Sequence, residues 1–198
     1  MLQIDPLKRP PNAELELAGS KSITNRALLI AALAEGKSTL SRALFAEDTL
    51  AMINCLQAFG IDIKHDHTTA TIAINGSGGE LETPQKELWV RQSGTTARFI
   101  LPLSALVKAP IEVDGDNQIR SRPQQDLLLA LNELGVEIAH NGEMGHLPLT
   151  IDGSNLTVTD ISVGGETSSQ YLSALLLVGP CLPEKITLTL DGNAVSTP

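Results

Sequence analysis

The sequence has few aromatic residues and little basic charge, and both shortages limit what the protein can be. Only 3% of its 198 residues are aromatic while 42% are hydrophobic, so a core must be built from Leu, Ile, Val and Ala. Its 14 Lys and Arg residues face 23 Asp and Glu residues, which gives a net charge of −9. This balance argues against sequence-independent nucleic-acid binding and against an anionic membrane surface, both of which attract basic faces.

Cysteines and long apolar runs are also scarce. The two cysteines, Cys55 and Cys181, lie in apolar periodic stretches without CxxC spacing, which predicts buried structural thiols. No apolar run approaches the ~18 residues that a membrane-spanning helix needs, and no basic start precedes an apolar region. We expect a soluble protein located in the cytoplasm.

An internal repeat of about 72–75 residues organises the chain. One type of helix start, rich in small hydroxyl residues, occurs near residues 22, 94 and 168, and Arg26, Arg98 and Gln170 follow at intervals of 72 residues. A second helix type covers residues 47–63 and 123–138, and each copy ends in Gly before a β-branched strand. The repeating unit is therefore predicted as strand, helix, strand, helix, strand, strand.

The predicted strands between these helices are short and separated by turn residues. They cover residues 14–17, 38–44, 70–75, 87–90, 111–114, 147–151, 156–159 and 186–191. Three copies of the unit would pack their apolar helix faces together inside a ring of sheets. In the third copy the second helix would begin near Pro198, so we expect the chain to be part of a longer polypeptide.

The segment around the first helix start has the features of an anion site. A glycine turn precedes Ser20, Lys21 and Ser22, and Arg26 lies one turn inside the helix. A helix N-terminus offers unpaired N–H groups and partial positive charge, while Arg offers a planar fork that suits carboxylate or phosphate. For a single such segment, an ordinary capped helix with a solvated Lys is the better explanation.

The repeat favours the anion site over the ordinary cap. The second copy opens its helix with Gly94, which permits close approach of a ligand to the backbone, and the third opens it with Ser168 and Ser169. The three starts would converge on one face of the domain. Shared caps do not explain why five cations occur at these starts in an acidic chain, namely Lys21, Arg26, Arg98, Arg120 and Arg122.

Other candidate sites are weaker. The four histidines lie in predicted hairpins or loops without regular metal-ligand spacing, so they indicate surface residues rather than a zinc site: His65, His67, His140 and His146. Glu47 and Asp48 are interpreted as a charge pair in the first turn of a helix rather than as a catalytic dyad. The sequence contains no evident Ser-His-Asp arrangement and no strong general base.

Four segments, in order, resemble signatures of the EPSP synthase (3-phosphoshikimate 1-carboxyvinyltransferase) family. They are GSKSITNRALLIAALAEG, SGTTAR, DGDNQIRSRP and SSQYLSALL, and together they span nearly the whole chain. The related family that acts on UDP-N-acetylglucosamine has a different helix start and a reactive loop cysteine, and neither feature occurs in this sequence.

The resemblance implies an α/β fold of repeated βαβαββ units, an inside-out α/β barrel with helices in the core and sheets outside. Each family member has two such domains joined by a hinge. Residues 1–18 would supply the first strands of domain 1, and residues 19–198 most of domain 2. The repeats of domain 2 would cover about 19–85, 86–155 and an incomplete 156–198.

The resemblance also implies a reaction. The enolpyruvyl group of phosphoenolpyruvate would move to the 5-hydroxyl of shikimate 3-phosphate, with release of phosphate and without any cofactor or essential metal. The partners would be these two small molecules and the remaining C-terminal half of a monomeric polypeptide, which would hold the catalytic Asp, Glu and Lys. By itself, the 198-residue chain would then be inactive.

Site residues carry over from the matching motifs. Those implied to bind shikimate 3-phosphate are Lys21, Ser22, Arg26, Ser168, Ser169, Gln170 and Ser196. Those implied to face phosphoenolpyruvate are Lys21, Gly94, Arg122 and Gln170. The role of Arg98 is less defined. Gln92 replaces the Asn common in the family and is left out of the site, although its length bears on the pocket where the herbicide glyphosate would bind.

Two other functions fit the same motifs. One is a phosphate-ligand-binding module of this fold without catalysis, and the other is an interaction scaffold that retains the repeat but no chemistry. The cations at the helix starts disfavour the scaffold. Catalysis separates the enzyme from the binding module, and it depends on groups outside these 198 residues.

Overall fold

The computed structural model describes residues 8–15, 17–157, 160–164 and 169–191. Its helices are α1 (Lys21–Leu33), α2 (Glu47–Ala58), α3 (Gly94–Ser104), α4 (Asn117–Arg120), α5 (Gln125–Glu133) and α6 (Ser169–Val178), with a 3₁₀ turn at Gly179–Cys181. Its strands are β1 (Glu35–Leu40), β2 (Asp62–Asp66), β3 (Thr71–Ser77), β4 (Leu88–Trp89), β5 (Pro110–Asp114), β6 (Glu137–His140), β7 (Leu149–Asp152), β8 (Ile161–Gly164) and β9 (Leu188–Asp191). In this described part, no helix has the length and apolarity for crossing a membrane.

The strands form three separate sheets that share one topology. The second sheet has the order β4-β5-β7-β6, in which β4 and β5 are parallel and the other pairs antiparallel. The first sheet, β1-β3-β2, repeats the three antiparallel members, and the third, β8-β9, repeats the parallel pair. Each parallel pair is connected through a helix, as a parallel crossover requires. The repeat predicted from the sequence is therefore confirmed in the sheets.

The helices pack on one another and the sheets cover them. Helix α1 contacts α2, α3 and α6, and α3 also contacts α2 and α6. Strand β3 shows the outer arrangement, since Ile72 and Ile74 are buried while Ala73 and Asn75 between them are exposed. Alternation of this kind places one face of a sheet on the core and leaves the other face to solvent. The expected α/β arrangement with helices inside and sheets outside is observed.

The core is aliphatic, as the composition predicts. Most of its fully buried side chains are Leu, Ile, Val and Ala, and Phe59 and Phe99 are its fully buried aromatic side chains. Of the two thiols predicted to be buried, Cys55 is buried, but Cys181 is only half-buried. Cys181 follows directly on α6 in the 3₁₀ turn, where its sulfur lies against the loop glycine Gly79 rather than in the helical core.

Two predicted strands are wrong at their described positions. Glu14, Leu15 and Leu17 lie outside any strand, because they pair with no described neighbour. The strand predicted over 156–159 does not include Leu156 or Thr157, whose N–H groups donate instead to turn and loop carbonyls of Gly153 and Leu134. The strand at this point of the repeat is β8, a few residues later.

Several element ends also differ from prediction. β1 is predicted over 38–44 but ends at Leu40, because the chain bends and Arg42 has a φ of 57°, outside the strand region. The helix predicted from Pro123 begins at Gln125, and the short α4 precedes it. Gly60 has a φ of 86° and lies between α2 and β2, as the predicted glycine stop requires.

Candidate functional site

The start of α1 is a capped helix with an ammonium group beside it. Ser20 is the N-cap, and its Oγ accepts a hydrogen bond from the Ile23 N–H at 3.4 Å. Lys21 Nζ lies 3.2 Å from Asp48 Oδ2, and about half of the Lys21 side chain is exposed. Asp48 is therefore part of this site, which the sequence did not indicate, since 27 residues separate the two partners.

Arg26 connects α1 to α6 without using a carboxylate. Its Nη1 donates to the carbonyl oxygen and hydroxyl of Ser22, and its Nη2 donates to Ser173 Oγ at 3.2 Å. The Ser173 hydroxyl in turn donates to the Ser169 carbonyl at 2.8 Å. The guanidinium lies 5.4 Å from the centre of the Phe99 ring on α3, which gives it a cation–π contact.

The start of α3 joins the same region. Ser93 is the N-cap, and its Oγ accepts from the Thr96 N–H at 3.1 Å. The Thr96 hydroxyl donates to the backbone carbonyl of Asp48 at 3.0 Å, so the residue that pairs with Lys21 also holds α3. Gly94 opens the helix, and a Cβ placed on it would lie 3.1 Å from Nη1 of Arg122. Gly94 and Arg122, which are 28 positions apart in the sequence, are neighbours in the structure.

The two arginines near α4 have different surroundings. Arg120 makes two hydrogen bonds to the buried carboxylate of Asp114, one from Nε to Oδ1 at 2.8 Å and one from Nη2 to Oδ2. Its guanidinium is therefore already neutralised and serves the fold. Arg122 is exposed, and its guanidinium has no hydrogen-bond partner among the residues that the structure describes.

The start of α6 is the third helix start at the site. Ser169 is exposed and Gln170 is half-buried. Arg98 Nη1 donates to Gln170 Oε1 at 2.5 Å, and the buried Tyr171 donates its hydroxyl to the Pro123 carbonyl at 2.9 Å. Burial raises the pKa of the Tyr171 hydroxyl, and the Arg98 charge partly offsets that rise. Ser168 and Ser196 lie outside the described residues.

These contacts bring the three helix starts to one region, as the repeat predicts. The described members of the expected site are Lys21, Ser22, Arg26, Gly94, Arg122, Ser169 and Gln170. Lys21 connects to α3 through Asp48, and Arg26 connects to Ser169 through Ser173. Within the described residues, Arg26, Arg98 and Arg122 make no ion pair with a carboxylate. In a chain of net charge −9, three guanidinium groups that no described carboxylate neutralises are suited to binding anions.

Two weaker candidates have other contacts. The Gln92 amide donates to Glu47 Oε2 at 2.8 Å on the exposed surface. His65 and His67 pack with Phe45 in an aromatic cluster, and the His67 ring stacks on Phe45 at 4.1 Å between centroids. The described residues contain no group of three or more His, Cys, Asp or Glu side chains placed for a metal.

Comparison with known proteins finds relatives over nearly the whole chain. The family model described as EPSP synthase (3-phosphoshikimate 1-carboxyvinyltransferase) matches residues 8–198. The 3-phosphoshikimate 1-carboxyvinyltransferase of Trichormus variabilis is 40% identical over 195 residues, covering 98% of this chain and 46% of that protein. The enzyme of the same name from Methanothermobacter thermautotrophicus is 41% identical over 179 residues, covering 90% and 42%.

Solved structures agree with these sequence relatives. EPSP synthase from Acinetobacter baumannii matches with a TM-score of 0.77 and 28% identity, over 83% of this chain and 38% of that one. The enolpyruvyl transferase NikO from Streptomyces tendae, at 15% identity and a TM-score of 0.57 over 85% and 38%, supports the fold alone. The chain spans about half the length of the curated relatives that it matches. With nearly its whole length covered by the family model, the chain belongs to the EPSP synthase family.

Proposed function

We propose that this chain forms the shikimate 3-phosphate half of an EPSP synthase active site. In that reaction the C5 hydroxyl oxygen of shikimate 3-phosphate bonds to C2 of phosphoenolpyruvate, and the C2–O bond to phosphate breaks. The observation that carries the proposal is the meeting of three helix starts around guanidinium groups that no described carboxylate neutralises. Both substrates are anions, so the site has the charge that they require.

Shikimate 3-phosphate would bind between α1 and α6. Ser22 and Arg26 on one side, and Ser169 and Gln170 on the other, are joined by the hydrogen bonds through Ser173. Hydroxyl, amide and guanidinium donors are the groups that bind phosphate and ring hydroxyl oxygens. Ser168 and Ser196 are proposed to complete the phosphate contacts, although they lie outside the described residues.

Phosphoenolpyruvate would bind beside Gly94 and Arg122. The guanidinium of Arg122 lies at the start of α3, where the helix N-terminus adds partial positive charge. The absence of a side chain at Gly94 leaves the space next to this guanidinium to a ligand. Lys21 would contact both substrates, which requires its ammonium to move from Asp48 or to share that carboxylate with the ligand.

Three further predictions belong to this proposal. We assign residues 1–18 to a first domain and residues 19–198 to a second, and the exposed side chains of Leu15 and Leu17 support a crossing segment there. The remaining catalytic groups would come from sequence corresponding to the other half of the relatives. The cytoplasmic location expected from the sequence stays a prediction.

A complementation assay tests the function. We expect the purified 198-residue chain to release no phosphate from phosphoenolpyruvate and shikimate 3-phosphate, because half of the catalytic and orienting groups are absent. Addition of a second polypeptide, the remaining part of the Trichormus variabilis relative, should produce turnover. Arg122→Met should abolish that turnover, while Lys108→Met, at an exposed position beyond the end of α3, should leave it intact.

The possible outcomes separate the enzyme from its alternative. Turnover by the 198-residue chain alone would contradict the proposal that it holds half of the site. A complemented mixture that binds shikimate 3-phosphate but never releases phosphate would favour the non-catalytic binding module.

A further inference from the structure

The short segment that carries Arg122 has a constrained backbone, although Arg122 itself is exposed. The Arg122 N–H donates to the Ile119 carbonyl at 3.0 Å, at the end of α4. The Arg122 carbonyl accepts from Gln124 Nε2 at 3.1 Å. Between them, Pro123 fixes its own φ and restricts the backbone of the residue before it. Both backbone polar groups of Arg122 are therefore held, while its guanidinium lies beside Gly94.

Gln124 is an internal amide that turns back toward Arg122. It is fully buried at the N-cap position of α5, but its side chain does not cap that helix. Its Nε2 bonds to the Arg122 carbonyl instead, and its Oε1 is buried without a donor among the described residues. A carbonyl only accepts, so the NH₂ group must be the one that faces it. Burial of an unpartnered amide oxygen opposes folding, so packing alone would favour an apolar side chain of the same size.

Two further hydrogen bonds hold the residues that follow Arg122. The buried Tyr171 on α6 donates its hydroxyl to the Pro123 carbonyl at 2.9 Å. The Gln124 N–H donates to the Gly145 carbonyl at 2.7 Å. The segment is thus tied to the loop between β6 and β7 and to α6, which is the third helix that begins at the site.

Arg120 shows the other way of holding an arginine. Its guanidinium is fixed by two hydrogen bonds to Asp114, which neutralise its charge. Arg122 is instead held through its backbone, so the charge and the donors of its guanidinium stay available to a ligand. A group that is already in place when a ligand arrives loses less freedom on binding, and this favours affinity.

We propose that Gln124 is a positioning residue, which acts with the Tyr171 hydroxyl to hold the Arg122 backbone so that the guanidinium lies beside Gly94 before a ligand binds. The inference rests on the proposed function for the identity of that ligand, phosphoenolpyruvate. The order of the Arg122 backbone does not depend on any ligand, so it can be measured in the free chain.

The first experiment uses the isotope-labelled 198-residue chain without ligand. In the wild type, the Arg122 backbone amide should relax like the amides of α5 and exchange slowly with solvent. Gln124→Met keeps the length of the side chain and removes both of its polar atoms. Exchange at Arg122 should then be about fivefold faster, the effect of losing one neutral hydrogen bond. Gln118→Met makes the same change at an exposed position on α4 and should leave the Arg122 amide unchanged.

A second variant covers the case in which Gln124→Met does not fold. Tyr171→Phe keeps the ring beneath Arg98 and removes only the hydroxyl, so it should fold and should also accelerate exchange at Arg122. A melting temperature within about 3 °C of the wild type, the effect of about one hydrogen bond, identifies a folded variant. Wild-type exchange at Arg122 in every folded variant would overturn the inference.

Titrations with phosphoenolpyruvate and shikimate 3-phosphate add the link to binding. Gln124→Met should weaken phosphoenolpyruvate binding about fivefold. It should leave the affinity for shikimate 3-phosphate unchanged, because the proposed contacts of that ligand do not include Arg122. In the Arg122→Met background, Gln124→Met should weaken phosphoenolpyruvate binding no further, since it acts through Arg122.

Equal losses in both backgrounds, or for both ligands, would contradict the positioning role. If the wild type does not bind phosphoenolpyruvate, the proposed site for that substrate fails, and amide exchange at Arg122 still decides the role of Gln124.

Discussion

On α1, different residues supply charge at the site and packing in the core. Lys21 is half-exposed and pairs with Asp48 across 3.2 Å, whereas Leu29 on the same helix is fully buried. Lys21→Met keeps the aliphatic stem and removes the ammonium, so it should change the free energy of unfolding by less than about 1 kcal/mol. It should weaken shikimate 3-phosphate binding by about 1.5–3 kcal/mol, the worth of a charge-assisted hydrogen bond.

Leu29→Ala is the matched control for that prediction. It should lower the free energy of unfolding by about 2–5 kcal/mol, because it removes buried methyl groups and leaves a cavity. The affinity of the molecules that remain folded should not change. Thermal melts and calorimetric titrations measure both variants, and wild-type affinity in Lys21→Met would show that the helix start is only a cap.

Gly94 sets the space beside Arg122. In Gly94→Ala the new Cβ would lie 3.1 Å from Arg122 Nη1, so the guanidinium must shift by a few tenths of an ångström. We expect a small effect on stability, because the displaced group is the end of a flexible side chain. Binding of phosphoenolpyruvate and of glyphosate should weaken about tenfold, as for one impaired charge-assisted contact.

Inhibition kinetics on the complemented enzyme measure this effect. We expect the wild type to be sensitive to glyphosate and Gly94→Ala to be less so. Equal inhibition constants for the two proteins would mean that Gly94 does not determine access to the pocket. Gln92→Asn tests the nearby departure from the family pattern. Because Gln92 bonds to Glu47 on the surface, this substitution should change the glyphosate inhibition constant little.

The two thiols should differ in reactivity with pH. Burial raises the pKa of Cys55 to about 12, and it raises that of the half-buried Cys181 as well. The thiolate is the reactive form, so at pH 8 only about one Cys55 in 10⁴ would be reactive even if reagent reached it. A disulfide reagent should modify one thiol in the native chain and two in denaturant, and Cys181→Ala should remove the native reaction. Native modification of both thiols at equal rates would contradict the burial of Cys55.

At the scale of elements, the N-cap hydrogen bonds of α1 and α3 differ in burial. Ser93 is buried and accepts from the Thr96 N–H at 3.1 Å, while Ser20 is exposed and its bond to the Ile23 N–H is 3.4 Å long. Ser93→Ala leaves a buried donor without an acceptor and should cost about 1–2 kcal/mol. Ser20→Ala should cost less, since water can replace its hydroxyl. Urea unfolding measures both, and equal costs would show that burial does not set the strength of these caps.

Helices were easier to predict from the sequence than strands. The five long helices begin within about two residues of their predicted starts, because Ser, Gly and hydroxyl-rich segments mark a helix N-terminus locally. The strand expected at 156–159 does not include its described residues Leu156 and Thr157. A strand forms only where a partner accepts its hydrogen bonds, and the carbonyls of Gly153 and Leu134 already bind their N–H groups. Residues 14–17 have strand-like sequence, but their described members pair with no other strand.

The sequence indicated which helix starts carry cations, but not the contacts that those cations make. The cations were visible because they occur at repeated helix starts in an acidic chain. Asp48 and Tyr171 were not, because their roles depend on contacts with Lys21 and Pro123 that are distant in sequence. Arg120 and Arg122 look alike in sequence. Only the structure shows that Asp114 neutralises the first, while no described carboxylate pairs with the second.

At the scale of the whole molecule, the repeat explains both the fold and the site. Three related units put three helix starts at one region, and the acidic remainder of the chain leaves Arg26, Arg98 and Arg122 without carboxylate partners among the described residues. The second substrate and the chemistry would require groups corresponding to the other half of the relatives, of which this chain spans about 46%. For the first substrate, the proposed binding groups all lie within this chain, with Ser168 and Ser196 outside its described residues.

The most direct measurement is a titration of the isotope-labelled 198-residue chain with shikimate 3-phosphate, followed by NMR. We predict weak, saturable binding with chemical-shift changes concentrated at Ser22, Arg26, Ser169 and Gln170, and further weakened in Lys21→Met. Lys108→Met should bind like the wild type. The absence of binding, or shift changes confined to the hairpin of β2 and β3, would contradict the assignment of this face as the shikimate 3-phosphate site.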